Sequence, residues 1–257
     1  MFFGDNILRN TFIHIPGITR NVEKKLWNLE VKDWEMCLAR LESLPLSIEA
    51  KKQAEILLPK SIEECNNKNH LFFTPLLANN EQWRAYPEFC HNCCFLDIET
   101  TGLSKYYNKI TTIALYDGNN AKTFVNGINL ADFADEISKY SMIVTFNGAR
   151  FDLPFIKAKF PEIEFSQFHI DLMYAFWKLG ERGGLKRIEK RFGLIRDDDI
   201  AGVDGFEAVL LWHRYQRGDK AALELLLKYN IEDVKNLKVL LDIIYDRLKE
   251  KTLNSSF

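Results

Sequence analysis

Asp97 and Glu99 stand one residue apart at the end of a short apolar run, Cys94-Phe95-Leu96-Asp97-Ile98-Glu99-Thr100-Thr101-Gly102. In a strand, successive side chains alternate faces, so the two acids share one face and Leu96 and Ile98 the other. A rise of about 3.3 Å per residue sets the carboxylates roughly 6–7 Å apart. Two acids at the end of a buried strand are costly unless a cation compensates them. A strand that simply ends in solvent carries no such cost, and the pair alone fits either reading.

Two further acids extend the pattern. Asp152 follows Thr145-Phe146-Asn147-Gly148-Ala149-Arg150-Phe151 and precedes Leu153-Pro154-Phe155. It fits a helix N-cap with Pro154 in the first turn, and it also follows a strand that should neighbour the first. Tyr229 and Asp233 are four apart in Tyr229-Asn230-Ile231-Glu232-Asp233, so a helix puts them on one face, with Glu232 on a solvated flank. Together Asp97, Glu99, Asp152 and Asp233 supply four carboxylates. An all-oxygen ligand set selects hard ions, Mg²⁺ or Mn²⁺, over Zn²⁺. Such spacing supports a two-metal phosphodiesterase, with the ions about 3.5–4 Å apart.

The elements that must position these residues follow from periodicity. Residues 1–85 are expected to form a helical N-terminal region, with helices over Val22–Asn28 and Trp34–Leu44, another starting at Ser47, and loops at 66–69 and 79–80. From residue 86 to 250 a second domain is expected. Its strands are Cys94–Ile98, Ile110–Tyr116, Lys122–Val125, Met142–Phe146 and Phe168–Leu172, with a turn at Asp117-Gly118-Asn119-Asn120. Helices are expected over Leu130–Tyr140, Leu153–Lys159, Leu172–Leu179, Leu185–Phe192, Phe206–Arg217 and Lys220 to about Lys249, and residues 251–257 as a frayed tail. Three hairpin strands followed by alternating strands and helices is the order of a ribonuclease-H-like α/β fold: a mixed five-stranded sheet flanked by helices.

The three motifs together resemble those of the DEDDy 3′–5′ exonucleases of the ribonuclease-H-like superfamily. Asp97-Ile98-Glu99-Thr100 and Phe151-Asp152-Leu153-Pro154 are also similar to the proofreading domain of family B DNA polymerases. His169-Ile170-Asp171-Leu172, Gly184-Leu185-Lys186 and the stretch from Gly202 to Trp212 resemble the YprB-type stand-alone branch. The resemblance implies an active site of Asp97, Glu99, Asp152, Tyr229 and Asp233 and two divalent cations, Mg²⁺ or Mn²⁺. Asp97 would bridge both ions, Glu99 and Asp233 would complete the one bearing the attacking water, and Asp152 would hold the other. Tyr229, with an ordinary pKa near 10, would orient the water rather than deprotonate it. Thr100, Asn147, Phe151 and Lys186 are expected to meet substrate. That substrate would be single-stranded nucleic acid, DNA before RNA, degraded from the 3′ end. The rival readings are a nucleic-acid-binding module with little catalysis, and a structure-selective or RNA-processing nuclease using the same site.

Other features carry two readings each. Lys186, Arg187, Lys190 and Arg191 form either a solvated helical face or a phosphate contact. Phe151 is either a base-stacking wedge or core. His169 is either structural or a contact behind the ligands. Asp197-Asp198-Asp199 suits a capped loop better than a third metal site. Cys90-His91-Asn92-Cys93-Cys94 could bind metal but lacks a second ligand pair. Phe12-Ile13-His14-Ile15-Pro16-Gly17-Ile18-Thr19 resembles a helix-hairpin-helix, with Thr19 where a second glycine is usual; a purely structural helical subdomain is the alternative.

Composition sets outer bounds. The 257 residues carry a net charge of −2 and five cysteines. There is no overall basic excess of the kind nucleic-acid binders often show, though a local basic patch and an acidic centre cancel in the sum. No apolar run reaches the roughly 18 residues of a membrane span. Met1-Phe2-Phe3-Gly4-Asp5 lacks a basic segment before an apolar one, so no signal peptide is expected. With an odd cysteine count, the thiols are expected to be reduced and the protein cytoplasmic.

Overall fold

The computed structural model describes residues 7–254. The N-terminal pentapeptide and the last residues of the expected tail, 255–257, lie outside the described residues. The chain divides into two compact units. One comprises residues 1–91, 166–168 and 249–257, the other 92–165 and 169–248.

The first unit is helical, with α1 (Arg20–Asn28), α2 (Trp34–Arg40), α3 (Ile48–Asn66), α4 (His70–Phe73) and α5 (Tyr86–Phe89). Side-chain caps start the first three: Thr19 Oγ1 accepts from Val22 N, Asp33 from Met36 N and Ser47 from Ala50 N. The expected helix over 34–44 is shorter, because its last turn tightens to a 3₁₀ helix at Leu41–Ser43. The expected loop at 79–80 instead opens a 3₁₀ helix, Asn79–Ala85. The Phe12–Thr19 segment is a series of turns, and among the described residues no helix precedes it. The amides of Phe12 and Ile13 both donate to Glu23 Oε1, at 2.6 and 3.3 Å. Glu23 in turn pairs with the fully buried Arg84 at 2.9 Å. The segment is therefore fastened inward by a buried ion pair, the structural alternative, and departs from a helix-hairpin-helix.

The second unit carries the sheet. Its strands are β1 (Cys93–Thr100), β2 (Ile110–Tyr116), β3 (Ala121–Val125), β4 (Met142–Thr145) and β5 (Phe168–Asp171), in the order β3-β2-β1-β4-β5. β1 is antiparallel to β2 and parallel to β4, and β2 is antiparallel to β3. The sheet is therefore mixed, as the sequence order required. The first hairpin turn is built as expected, with Asp117 Oδ1 accepting from Asn119 N and Asn120 N and Gly118 at φ +96°.

Six helices complete the unit: α6 (Phe133–Ile137), α7 (Asp152–Lys159), α8 (Leu172–Lys178), α9 (Leu185–Arg191), α10 (Gly205–Gln216) and α11 (Lys220–Asn254). The expected helix at 130–140 splits into a 3₁₀ turn, Leu130–Asp132, and the short α6. Its end is again 3₁₀-like, with Lys139 N and Tyr140 N bonding three residues back. α11 continues to Asn254, past the residue where a frayed tail was expected. Leu96 and Ile98 pack with Phe133, Phe155, Ile156 and Phe160 in one core layer. Leu226 and Tyr229 belong to a second layer with Trp212 and Val125. Among the described residues no helix is long and apolar enough to cross a membrane.

Candidate metal centre

α11 buries a stripe of residues at helical spacing: Ala222, Leu226, Leu237, Leu240, Leu241, Ile244 and Leu248. Tyr229, Asn230, Asp233 and Asn236 interrupt it with buried polar groups. Each needs a partner, since burying an unpaired polar group costs stability. The partners of Asn230 lie on β1 and β2. Its Nδ2 donates to Asp97 Oδ2 at 2.7 Å, and its Oδ1 accepts from Thr112 Oγ1 at 3.0 Å. Thr112 is the register partner of Glu99. One amide thus ties the last helix to both central strands beside the two acids.

One carboxylate oxygen from each of Asp97, Glu99 and Asp233 lies within 4.8 Å of the others. Among the described residues this is the one group of three or more His, Cys, Asp or Glu side chains placed to share an ion. Residues 90–94 form no such group: Cys90 is exposed, and Cys93 and Cys94 are buried on β1. Asp152 stands beside the trio without joining it. β4 pairs with β1 only as far as Phe95. Beyond that point Asp152 Oδ1 accepts from Ile98 N at 3.1 Å. The acid expected to ligate a second ion has one oxygen committed to the strand's backbone.

The turn that delivers Asp152 is tightly specified. Asn147 adopts φ +65°, which asparagine tolerates better than most residues. A Cβ on Gly148 would collide with the Thr145 side chain, so only glycine fits there. Asp171 secures the turn from β5: its carboxylate accepts from Asn147 N at 2.7 Å and Ala149 N at 3.1 Å. Asn147 therefore has its backbone in the turn. Phe151 packs on Phe155 at the edge of the core, the bland reading of that residue. Thr100 is buried, and its hydroxyl donates to Gly102 O at 2.7 Å. Lys186 sits with its Nζ 5.0 Å from the centre of the Tyr229 ring. His169 Nε2 meets Thr145 Oγ1 at 2.9 Å, a structural contact.

Burial and crowding shift every acid of the cluster upward. Desolvation raises Asp97 and Glu99 well above the carboxylate range, and the charges of Asp233 and Asp152 add to it. Asp152 is pushed up to about 7, chiefly by desolvation. Asp233 rises to about 6 from burial, held back by the Arg196 guanidinium. Burial, then the neighbouring acids, push Tyr229 up as well, so its hydroxyl, bonded to Asp233, keeps its proton. Oxygen donors alone, crowded and short of positive charge, are the ligand chemistry of a hard divalent cation.

Residues 94–245 match the family described as the RNase_H superfamily. The chain belongs to the RNase_H superfamily. The matched span carries Asp97, Glu99, Asp152, Tyr229 and Asp233. Similar solved structures include the family B DNA polymerase from Pyrobaculum calidifontis, at 15% identity and TM-score 0.46 over 64% of this chain and 27% of that one. The chain thus spans about a quarter of the polymerase. Brucella melitensis NrnC is similar at TM-score 0.33 in two forms. Bound to pGG it is 19% identical over 65% of this chain and 88% of that one. With bound Mg²⁺ it is 20% identical over 65% and 89%. No curated protein matches at the sequence level.

The superfamily domain also holds functional candidates that the motifs did not reveal. Arg196 is buried, pairs with Asp233, and reaches Glu189 with two nitrogens at 2.8 and 2.6 Å. Asn236 Nδ2 completes Glu189 at 3.0 Å. Arg196 also stands 5.2 Å from the centre of the Tyr229 ring. Nothing in local spacing marks it, since it precedes the acidic run at 197–199. That run is surface: Lys228 pairs with Asp197 and Asp199, both at 2.8 Å, as a capped loop would have it. Asn230 had a signal, lying inside the Tyr229–Asp233 turn on the same buried stripe.

The raised acids make metal binding and pH interdependent. A carboxylate whose folded pKa exceeds its unfolded value favours folding below the unfolded value, near 4, and loses that contribution as pH rises through the folded one. The metal-free protein therefore loses stability at this site as pH rises from about 4 to 7, and a bound cation reverses the loss. The Mn²⁺-induced rise in Tm should be near zero at about pH 5 and reach its full size above about pH 7.5. His14 and His169, lowered by burial to about 3 and about 4, act in the opposite sense below about pH 6.5. They do so with and without metal, and cancel in the difference. A Tm shift equal at about pH 5 and about pH 8 in differential scanning fluorimetry would remove the acid cluster as the binding site.

Proposed function

We propose that the protein is a metal-dependent 3′–5′ exonuclease of the DEDDy type that hydrolyses single-stranded nucleic acid, DNA in preference to RNA. The observation that carries this reading is the convergence of Asp97, Glu99 and Asp233 within 4.8 Å, beside a hydrogen-bonded Tyr229. In this reading Asp97, Glu99 and Asp233 hold Mg²⁺ or Mn²⁺, with Asp152 serving a second ion through its remaining oxygen. Such ions supply charge compensation for a phosphodiester transition state and acidify water.

The chain's own groups do the rest. Asn230 fixes the Asp97 carboxylate in one rotamer. Tyr229, kept protonated, donates to Asp233 and orients rather than deprotonates. Lys186 lies next to Tyr229 with its charge partly desolvated, which suits contact with a phosphate oxygen. The amide-rich turn at 147–149, locked by Asp171, holds Asp152 at the head of α7. A binding module without catalysis has no use for three buried acids that repel one another, so the enzymatic reading is preferred.

A 5′-labelled single strand incubated with Mn²⁺ and resolved on a denaturing gel decides between the classes. A ladder of progressively shortened products is expected, on DNA faster than on RNA. One internal cut would indicate an endonuclease, and a mobility shift without cleavage a binding module; either result overturns the proposal.

A further inference from the structure

α7 leads away from the acid cluster. Asp152, Phe155, Ile156 and Lys159 recur at helical spacing, so Lys159 lies on the stripe headed by Asp152, about 10 Å further along the axis. There a cavity of about 260 Å³ opens against the loop between β1 and β2. Lys105, Lys109 and Lys159 line it, over a floor that includes Phe155. All three lysines are exposed, and among the described residues none has a carboxylate partner. No acid lines the cavity. Asn108 and Asn126, also in its wall, are occupied by the backbone at Thr101 and Ile110, so the free polar groups are the three ammoniums. Beside them Tyr106 and Tyr107 project from the loop, 80% and 88% exposed. Two aromatic rings held in solvent next to a cationic pocket with no acid are the complement of alternating bases and phosphates.

The geometry points to a phosphate subsite of single-stranded nucleic acid in this pocket, with Tyr106 and Tyr107 as stacking platforms for the adjoining bases. The inference rests on the exonuclease reading for the direction of the strand, and it names the part of the substrate that lies away from the reacting end. At a stacked rise of roughly 3.4 Å per nucleotide, about 10 Å places this phosphate about three nucleotides from the acids. A dinucleotide cannot reach it and an octanucleotide must.

The test uses the full chain with Ca²⁺ in place of Mn²⁺, and fluorescence anisotropy of labelled dinucleotides and octanucleotides, both DNA and RNA. In the Lys105→Glu/Lys109→Glu/Lys159→Glu variant, octanucleotide affinity should fall at least about tenfold and the salt slope, log affinity against log salt, should weaken by about 2, three contacts at about 0.7 each. Dinucleotide affinity should stay within about twofold of the starting protein. The Lys→Gln triple variant, which adds no acid, should show the same change in slope, and Tyr106→Ala/Tyr107→Ala a smaller loss confined to the octanucleotide. Equal octanucleotide binding, an equal loss on both lengths, or no binding by the unaltered protein overturns the subsite. Hydrolysis of thymidine 5′-p-nitrophenyl phosphate with Mn²⁺, unchanged in the lysine variants, separates the two readings. If the unaltered protein cleaves nothing yet binds octanucleotides through these lysines, the subsite stands and the exonuclease reading falls.

Discussion

Replacing Asp97 with asparagine should lower single-strand hydrolysis by roughly a thousandfold, about 4 kcal/mol of transition-state stabilisation, while raising the Tm of the metal-free protein. The two effects share one cause. Asp97 lies among Glu99, Asp152 and Asp233, and burial plus their charges hold its pKa far above normal. At neutral pH the fold carries that repulsion as a cost. The Asp97→Asn side chain would keep an acceptor for the Asn230 amide, which donates to the Asp97 carboxylate at 2.7 Å, and would drop the charge. Active sites commonly trade stability for function in this way. Thermal scans in EDTA beside a rate assay with Mn²⁺ make the check. A variant that loses activity and also melts lower would mean that Asp97 is structural, and undiminished activity would remove it from the site.

The second large effect concerns Arg196. Its guanidinium is shared by Glu189 and Asp233, and the three side chains are almost fully buried. Arg196→Met strands two carboxylates in the interior. Breaking a buried pair in this way costs about 3–5 kcal/mol, or roughly 10 °C of Tm in a chain of this size. Removing the charge of Glu189 as well, in Arg196→Met/Glu189→Gln, should recover part of the loss. Added Mn²⁺ should narrow the gap further, because Asp233 then gains a cation from another source. Tm values within about 2 °C of the parent would show that the arginine carries no such burden.

These two predictions differ in how much of their basis was legible beforehand. The acids of β1 could be paired from the alternation of a strand, and Tyr229 with Asp233 from the turn of a helix, because both rules act over a few residues. The order of strands and helices indicated the mixed sheet for the same reason. Arg196 could not be found that way. Its meaning depends on Glu189 being buried and on α11 lying opposite, neither of which is a local property. Asp152 was recognisable as an acid near the site, but its bond to Ile98 N follows from where β4 stops pairing, which periodicity does not report. The helix at 130–140 broke because its residues favour a 3₁₀ end on packing, and propensity yields to tertiary context.

The join made by Asn230 reaches across 133 residues to Asp97. During translation the strands emerge long before α11 does, and until that helix docks the acids of β1 lack their third companion. Contacts so distant along the chain close late. The destructive capacity proposed for this protein is consequently withheld from nascent chains, and arrives only once α11 has left the ribosome and found its place against the sheet.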